Sequence, residues 1–243
     1  MPTAPAADQI RLLEVQAADL KAQQARHRRA SLPVIAQIEE LTERVNDLGD
    51  ERAARSAVVT DARREVTKIE DDVAAVRARA ARDNVRLASG QATPKDLQAL
   101  TSELEVLARR TNDLEDEELE ILERLETAEA ELASAVHQHD EISRQIAELE
   151  VQRDAAVAEI DRELAAIASE RDAAATGLDG PLVVLYEKLR DQHGGIGAAT
   201  LVGGQCQGCH MKLNAGDLAT IEAAGPDQIV RCEECGRILV RGA

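Results

Sequence analysis

Apolar residues recur at alternating steps of three and four along most of this chain, and this repeat restricts its fold more than any other feature. From Val34 to Leu87, 13 of the 16 positions in the series are apolar, and from Leu97 to Ile160, 15 of 19 are apolar. A seven-residue repeat held this long is typical of helices that supercoil around each other. The sequence therefore predicts two long helices, each with one apolar seam.

Gly and Pro residues separate the repeat into two stretches of equal length. Residues 7–88 and 94–175 each span 82 positions, and Gly90 lies between them. Glycine suits the left-handed residue that ends a helix, and equal helices joined by a short loop fold back on each other. We predict a mainly α protein in which residues 1–176 form a long antiparallel coiled-coil hairpin with its tip near 89–94.

Local signals refine this hairpin. Thr93 and Asp96 have the spacing of a capping box, and Pro94 between them suits the first helical position. Pro33 should break the first arm because proline removes a helical hydrogen bond.

The turn position also predicts interhelical ion pairs. Folding the chain back about residue 91 places Arg52 and Arg55 near a stretch that contains Glu126, Glu129 and Glu131. It places Glu118 near Arg63 and Arg64. We expect ion pairs at these points that set the register of the two helices more than they stabilise them.

Composition excludes several classes of protein. The chain has 243 residues and a net charge of −17, and its only aromatic residue is Tyr186. Aromatic side chains supply much of a globular core, so a large compact core is not expected. No apolar run is long enough to span a membrane and the N-terminus does not resemble a secretory signal, so we expect a cytoplasmic protein without membrane contact. Signatures of polyphosphate binding are absent.

All four cysteines lie in the Gly-rich C-terminal segment, as two C-x-x-C pairs with 22 residues between them: Cys206, Cys209, Cys232 and Cys235. Two such turns can direct four sulfurs at one point, the usual arrangement of a structural zinc site. A reducing cytoplasm disfavours disulfides. We therefore expect one structural Zn²⁺ in a C4 zinc ribbon over residues 198–243. Four thiolates leave no coordination position for water, so Lewis-acid catalysis is not expected.

Other uses of these cysteines stay open at this point. Iron in a rubredoxin-like site is one rival, although such sites usually lie among aromatic residues. Cys206–His210 matches the C-x-x-C-H pattern of c-type haem attachment, but haem would leave Cys232 and Cys235 unexplained. His210 could also replace one cysteine as a ligand.

Short elements are predicted around the cysteines. Residues 177–197 form a linker with a short helix from Pro181 to Arg190, ended by Gly194-Gly195. Strands are expected over 198–202, 228–231 and 237–241. A helix is expected over 214–224, with Asn214 as its cap.

Basic side chains gather at the hairpin tip and in the ribbon, where they could contact phosphate. The alternative is a solvated charge run, and residues 94–176 carry a net charge of −15, which repels nucleic acid. The candidate nucleic-acid contacts are Arg77, Arg79, Arg82, Arg86, Lys95, Lys212, Arg231 and Arg237.

The combination resembles a bacterial family of coiled-coil proteins with a C-terminal C4-type zinc ribbon. The similar stretches are Thr93–Glu105 at the tip, Cys232–Val240 at the end, and Pro181 with Leu185-Tyr186-Glu187. Members usually have an aromatic residue where this chain has Val240. The resemblance implies the fold and the zinc ion. Described relatives act as non-enzymatic adaptors, some linked to flagellar regulation, an alternative sigma factor and RNA binding.

These features favour a non-enzymatic, zinc-binding adaptor or scaffold that binds protein partners through the arm and the ribbon, with a link to gene regulation. The alternative is a protein that binds RNA or DNA through the basic tip and the ribbon. An enzyme is not expected, because a coiled coil offers no concave apolar pocket for a small-molecule substrate. A monomer is the simplest state, although apolar residues outside the seam could support a dimer: Leu12, Val58, Leu119 and Leu122.

Overall fold

A computed structural model describes residues 2–90 and 93–242 of the chain. Gln91 and Ala92 of the predicted turn lie outside the described residues. The elements in chain order are α1 (Ala6–Ala30), α2 (Pro33–Ala88), α3 (Pro94–Ala175), α4 (Gly180–Gln192), β1 (Ala198–Val202), β2 (Gln205–Cys206), α5 (Ala215–Ala223), β3 (Val230–Arg231) and β4 (Ile238–Val240).

These elements form two compact units. The arm unit is Gln37–Leu149, and the ribbon unit contains residues up to Ala36 together with those from Glu150 onward. The predicted mainly α fold, with long helices forming a hairpin and a small C-terminal ribbon, is confirmed. The predicted domain boundaries near residues 176 and 197 stay predictions.

The seam of the arm unit contains the apolar repeat read from the sequence. Val66, Ile69 and Val73 of α2 pack with Leu114 and Ile121 of α3 in one buried cluster. Burying such side chains stabilises each by roughly 1.5–3 kcal/mol relative to exposure. The hairpin is therefore held by its own seam.

The signals at the tip act as predicted. Gly90, two residues after the end of α2, has a φ of +68°. The amide of Asp96 donates to Thr93 Oγ1 at 3.3 Å, and the amide of Thr93 donates to Asp96 Oδ2 at 3.3 Å. This reciprocal pair is a capping box, and Pro94 is the first residue of α3.

The predicted helix break at Pro33 is confirmed. Helix α1 ends at Ala30, and α2 begins at Pro33. The amide and the hydroxyl of Ser31 both donate to the carbonyl of His27, at 2.9 and 2.8 Å. They satisfy an acceptor that the interrupted helix would otherwise leave free.

The register agrees with the sequence in one place and differs in another. Arg55 contacts Glu131 at 2.5 Å, as predicted. The predicted neighbour of Arg63 was wrong, because Arg63 pairs with Glu129 at 2.6 Å and not with Glu118. The packing of the apolar seam residues sets which residues of α2 and α3 face each other. The midpoint of the connecting loop does not set this register.

In the ribbon unit, α1 packs on the C-terminal part of α3. Ala18, Ala22 and Ala25 are buried with Ile160 and Ile167. Alanine has the smallest side chain that still favours a helix, so it lets the two backbones approach closely.

The ribbon has a four-stranded sheet with the order β2-β1-β4-β3, in which β1 and β4 are parallel. All three residues of β4 are buried. Ile238 and Val240 belong to a cluster with α1 and α4, whereas Leu239 belongs to the cluster around the cysteines. This alternation follows from the two-residue period of a strand, and it means that both faces of the sheet are covered.

The N-terminal segment pairs with the residues just before β3. Thr3 forms an antiparallel bridge with Gln228, and the amide of Ala4 donates to the carbonyl of Asp227 at 2.8 Å. Gln9 of α1 is buried and donates to the carbonyl of Ala4 at 2.9 Å. The first residues of the chain therefore contact residues near its end.

Among the described residues, no helix combines the length and the hydrophobicity that crossing a bilayer requires.

Asp83 interrupts the apolar seam near the tip. It is 5% exposed, and its Oδ2 atom has no hydrogen-bond partner among residues 2–90 and 93–242. Its Oδ1 atom lies 3.7 Å from Arg86 Nη1, too far for a strong contact. An unsatisfied buried polar atom costs about 1–3 kcal/mol, so this position weakens the tip.

Replacing Asp83 with Leu should therefore raise the free energy of unfolding by about 1–3 kcal/mol. Urea unfolding followed by circular dichroism would measure the change. Asp71→Leu is the matched control, because Asp71 is exposed on the same helix. A D83L protein less stable than the wild type would contradict this account.

Candidate metal centre

The four cysteine sulfurs converge on one point in the ribbon unit. All four lie within 4.8 Å of one another. The sulfurs of Cys206 and Cys235 are 4.0 Å apart, and those of Cys209 and Cys232 are 3.9 Å apart. Tetrahedral zinc with Zn–S bonds of about 2.3 Å places its sulfurs about 3.8 Å apart. The geometry therefore fits one four-coordinate Zn²⁺.

Both C-x-x-C turns have the same backbone design. The amide of His210 donates to the carbonyl of Cys206 at 2.8 Å, and the amide of Gly236 donates to that of Cys232 at 2.7 Å. The residue after each second cysteine has a positive φ, +59° at His210 and +73° at Gly236. Each turn closes on its first cysteine and brings both sulfurs to one side.

The surroundings of the sulfurs affect their ionisation in opposite directions. Burial raises the pKa of Cys206, and it raises that of Cys232 to about 12. Burial also disfavours the Cys235 thiolate, but the backbone and side-chain N–H groups of Arg237 donate to this sulfur, and its pKa falls to about 7. Zn²⁺ binding displaces the thiol protons, so affinity for the ion should fall at acidic pH.

The chemistry of the donor set favours zinc in a structural role. Cys206 and Cys232 are buried, and Cys209 and Cys235 are partly buried. His210 is exposed and does not belong to the sulfur cluster. Four thiolates fill the tetrahedral shell of Zn²⁺, so the ion would hold the fold together.

The ribbon arginines proposed as nucleic-acid contacts are bound to the protein's own backbone. Arg231 Nε donates to the carbonyl of Gly236 at 2.6 Å. Arg237 Nε donates to the carbonyl of Ile196 at 2.9 Å. Lys212 is exposed. The tertiary structure thus gives two of these three cations a backbone partner within the ribbon unit.

The basic residues of the tip belong to the arm unit, and most of them form ion pairs. Arg77 contacts Glu115 at 2.5 Å, and Arg79 contacts Glu103. Arg86 lies near Asp83, as described above. Within the described ranges, two tip cations form no ion pair: Arg82 and Lys95.

Sequence reasoning missed a polar cluster where α1, α3 and α4 meet. Asp19 accepts hydrogen bonds from Arg171 at 2.7 Å, Tyr186 at 2.6 Å and Arg190 at 3.2 Å. Glu187 contacts both arginines. Burial tends to raise the pKa of Asp19, but the hydrogen bonds from Arg171 and Tyr186 outweigh it, so the pKa is lowered.

A buried glutamine was missed as well. Gln16 Oε1 accepts from the amides of Gly197 and Ala198 at 2.7 and 3.2 Å, and Gln16 Nε2 donates to the carbonyl of Gly195 at 2.9 Å. It thereby connects α1 to the start of β1. No motif marks Gln16 or Asp19, because each is a polar residue in a helix rich in polar residues.

The long helical hairpin and the four-sulfur ribbon define a coiled-coil zinc-ribbon protein. Residues 15–194 match the CT398-like coiled coil hairpin domain, and residues 205–239 match the C4-type zinc ribbon domain. The chain belongs to the CT398-like coiled-coil hairpin family and has a C4-type zinc ribbon.

Relatives match almost the whole chain. An uncharacterized protein of Mycobacterium tuberculosis (strain H37Rv) is 37% identical over 235 residues, which cover 97% of this chain and 96% of that protein. A solved structure from Mycobacterium smegmatis is 34% identical with a TM-score of 0.88, and covers 99% of this chain and 100% of its own. The structure of CT398 from Chlamydia trachomatis, 18% identical with a TM-score of 0.64 over 97% and 98% of the two chains, shares the fold.

Removing the metal should unfold the ribbon and leave the arm helical, because metal binding supplies on the order of 10 kcal/mol that a small module cannot obtain from its core. With a chelator, we expect amide protection to disappear after about residue 195 while most helical circular dichroism remains. Adding Zn²⁺ back should restore protection. A sheet that stays protected without metal would refute a structural role for the ion.

Acid should weaken the Asp19 cluster. The pKa of Asp19 is lower in the folded state than its unfolded value of about 3.9. Its contribution to stability is therefore present above the unfolded pKa and is lost as the pH falls through the folded pKa. At neutral pH, Asp19→Asn should lower the free energy of unfolding by about 3 kcal/mol, since it breaks a largely buried ion pair.

Thermal unfolding of both proteins between pH 7 and pH 3 would measure this difference, which should shrink toward the acid end. Asp191→Asn is the control, because Asp191 contacts the same Arg190 but its side chain is 73% exposed. A D19N penalty that does not depend on pH would show that the carboxylate charge is not the cause.

Proposed function

We propose that this protein is a non-enzymatic, zinc-binding adaptor of the cytoplasm that binds protein partners through its arm and its ribbon. The observation that carries the proposal is apolar surface outside the seam of the arm unit. Leu119 is 60% exposed and Leu122 is 39% exposed, on a helix whose other outward positions are mostly charged. Exposed apolar residues that lie together are typical of protein-binding surfaces.

The two leucines lie between interhelical ion pairs. Glu115, Leu122 and Glu129 are seven residues apart, so they form one row along α3. Glu115 pairs with Arg77, and Glu129 pairs with Arg63. An apolar site with charged pairs on either side resembles the apolar centre and polar rim of a protein interface.

Charge favours a protein partner over nucleic acid at this surface. Glu120, Glu123 and Glu126 are exposed around the leucines, and an acidic surface repels phosphate. The rival hypothesis, RNA or DNA binding through the tip and the ribbon, rests on Arg82 and Lys95, the tip cations that form no ion pair with any residue the structure describes. A role in gene regulation rests on the family resemblance alone.

Catalysis has little support from the site. The two matched families are structural coiled-coil and zinc-ribbon types. A groove beside Asp19 is lined by Arg171 and Arg190, and both arginines are paired with acids. We propose a monomer, because the seam of each long helix is filled within one chain.

Replacing both Leu119 and Leu122 with Ser should remove partner binding and leave the fold intact, since neither side chain lies in the buried seam. The protein would be used to capture partners from the native cell with and without nuclease, and a captured protein would then be purified and its affinity measured. We expect at least a tenfold loss for the double variant, equal to about 1.4 kcal/mol.

Val58→Ser is the matched control. Val58 is 58% exposed. It lies seven residues before Glu65, so it is on the side of the arm where Glu65 pairs with Arg124. The Val58→Ser protein should bind the partner with the wild-type affinity. Capture that depends on nucleic acid and weakens steeply with salt would favour the rival hypothesis. If Val58→Ser loses as much affinity for the partner as the double leucine variant, the proposal that Leu119 and Leu122 form the binding surface is contradicted.

A further inference from the structure

Arg237 occupies an unusual place beside the metal centre. It follows Gly236 at the end of the second C-x-x-C turn, and its side chain reaches back over the first turn. A Cβ atom at Gly208, between Cys206 and Cys209, would lie 2.8 Å from Arg237 Cδ. That separation is closer than van der Waals contact, so Gly208 is the residue that permits Arg237 to cross the first turn.

The far end of Arg237 is tied to the segment after α4. Its Nε donates to the carbonyl of Ile196 at 2.9 Å, and its Nη2 donates to the carbonyl of His193 at 3.1 Å. His193 is the C-cap residue of α4. The guanidinium therefore joins the centre to the end of a helix that contributes Leu189 to the main core.

The same residue also contacts the second turn directly. Its backbone carbonyl accepts a hydrogen bond from the amide of Cys232 at 2.9 Å. Arg237 thus contacts both C-x-x-C turns through different atoms.

The positive charge of Arg237 has a second effect on the metal centre. Four thiolates and one Zn²⁺ carry a formal charge of about −2, and two of the cysteines are buried. A guanidinium cannot lose its proton in a protein, so Arg237 supplies permanent positive charge beside the cluster. Arg231, held to the carbonyl of Gly236 at 2.6 Å, places a second cation next to the same turn.

We propose that Arg237 is a positioning residue of the metal centre, which holds the two C-x-x-C turns at the four-sulfur spacing and offsets the charge of the loaded site. Groups that orient metal ligands in this way typically change metal affinity by about 10- to 100-fold when they are removed. This role accounts for the partial burial and the internal hydrogen bonds of a residue that the sequence had suggested as a nucleic-acid contact.

The test compares Arg237→Gln with Arg237→Lys and with Arg241→Gln. Arg241 is the control within the same ribbon, because it also donates to backbone carbonyls, those of Ile221 and Ala224 at 2.9 and 2.8 Å. Arg241 does not contact the cysteines through any hydrogen bond in the described residues. Arg241→Gln therefore measures the effect of a weaker ribbon without a change at the centre.

Zinc affinity would be measured in the full chain by competition with a chelator, and the centre would be examined by the absorption spectrum of bound Co²⁺. We expect Arg237→Gln to bind zinc about 10- to 100-fold more weakly and to alter the Co²⁺ bands. Arg237→Lys, which keeps the charge but not the forked geometry, should be intermediate. Arg241→Gln should keep the wild-type affinity and spectrum.

Two results would overturn the proposal: wild-type affinity and spectrum in Arg237→Gln, or an equal loss in Arg241→Gln. Far-UV circular dichroism would confirm that each variant keeps its helices. If Arg237→Gln does not fold, Arg237→Lys decides the matter. If Arg237→Lys binds zinc more weakly than Arg241→Gln does, the proposal is supported. If the two variants bind zinc with equal affinity, the proposal is rejected.

Discussion

The packing of the ribbon's sheet against α1 and α4 is the interaction on which the rest of the ribbon unit depends. A chain without Phe or Trp has few large side chains with which to fill a core, and its one aromatic residue, Tyr186, is completely buried at this contact. Leu12 and Val15 of α1 lie in the same cluster as Ile238 and Val240 of the sheet. The small ribbon thus shares a core with the helices, because it is too small to build one alone.

The two faces of the sheet are stabilised in different ways. One face uses apolar side chains from two helices, and the other faces the four sulfurs and α5. Polar groups complete the first face, where Gln16 binds the start of β1 and Asp19 joins α3 and α4 to α1. Metal binding and helix packing therefore act on the same short strands. Arg231 and Arg237 bind backbone carbonyls beside this sheet, and partner binding through the outer surface of the arm stays a proposal.

Much of the fold could be predicted from the sequence, because its signals are local or periodic. The seven-residue repeat predicted the hairpin, Pro33 predicted the break, and Thr93 with Asp96 predicted the capping box. The short elements were also placed closely: β1 was predicted at its observed bounds, whereas β3 and β4 proved shorter. The C-x-x-C spacing predicted the convergence of the sulfurs. Each of these features depends on residues close in sequence or on a pattern that repeats many times.

Other features depended on contacts between residues far apart in the chain. The sequence alone determined which residues form the seam, the caps and the four-sulfur cluster, because backbone geometry restricts each of them within a few residues. The tertiary structure alone decided that Asp19 and Gln16 are buried, that Thr3 pairs beside the last strands, and that Arg237 turns inward to the metal centre. The partners of Asp19, Gln16 and Thr3 lie more than 150 residues away, and the carbonyl of Ile196 that Arg237 binds lies 41 residues away. Only the packing of whole elements could bring these groups together.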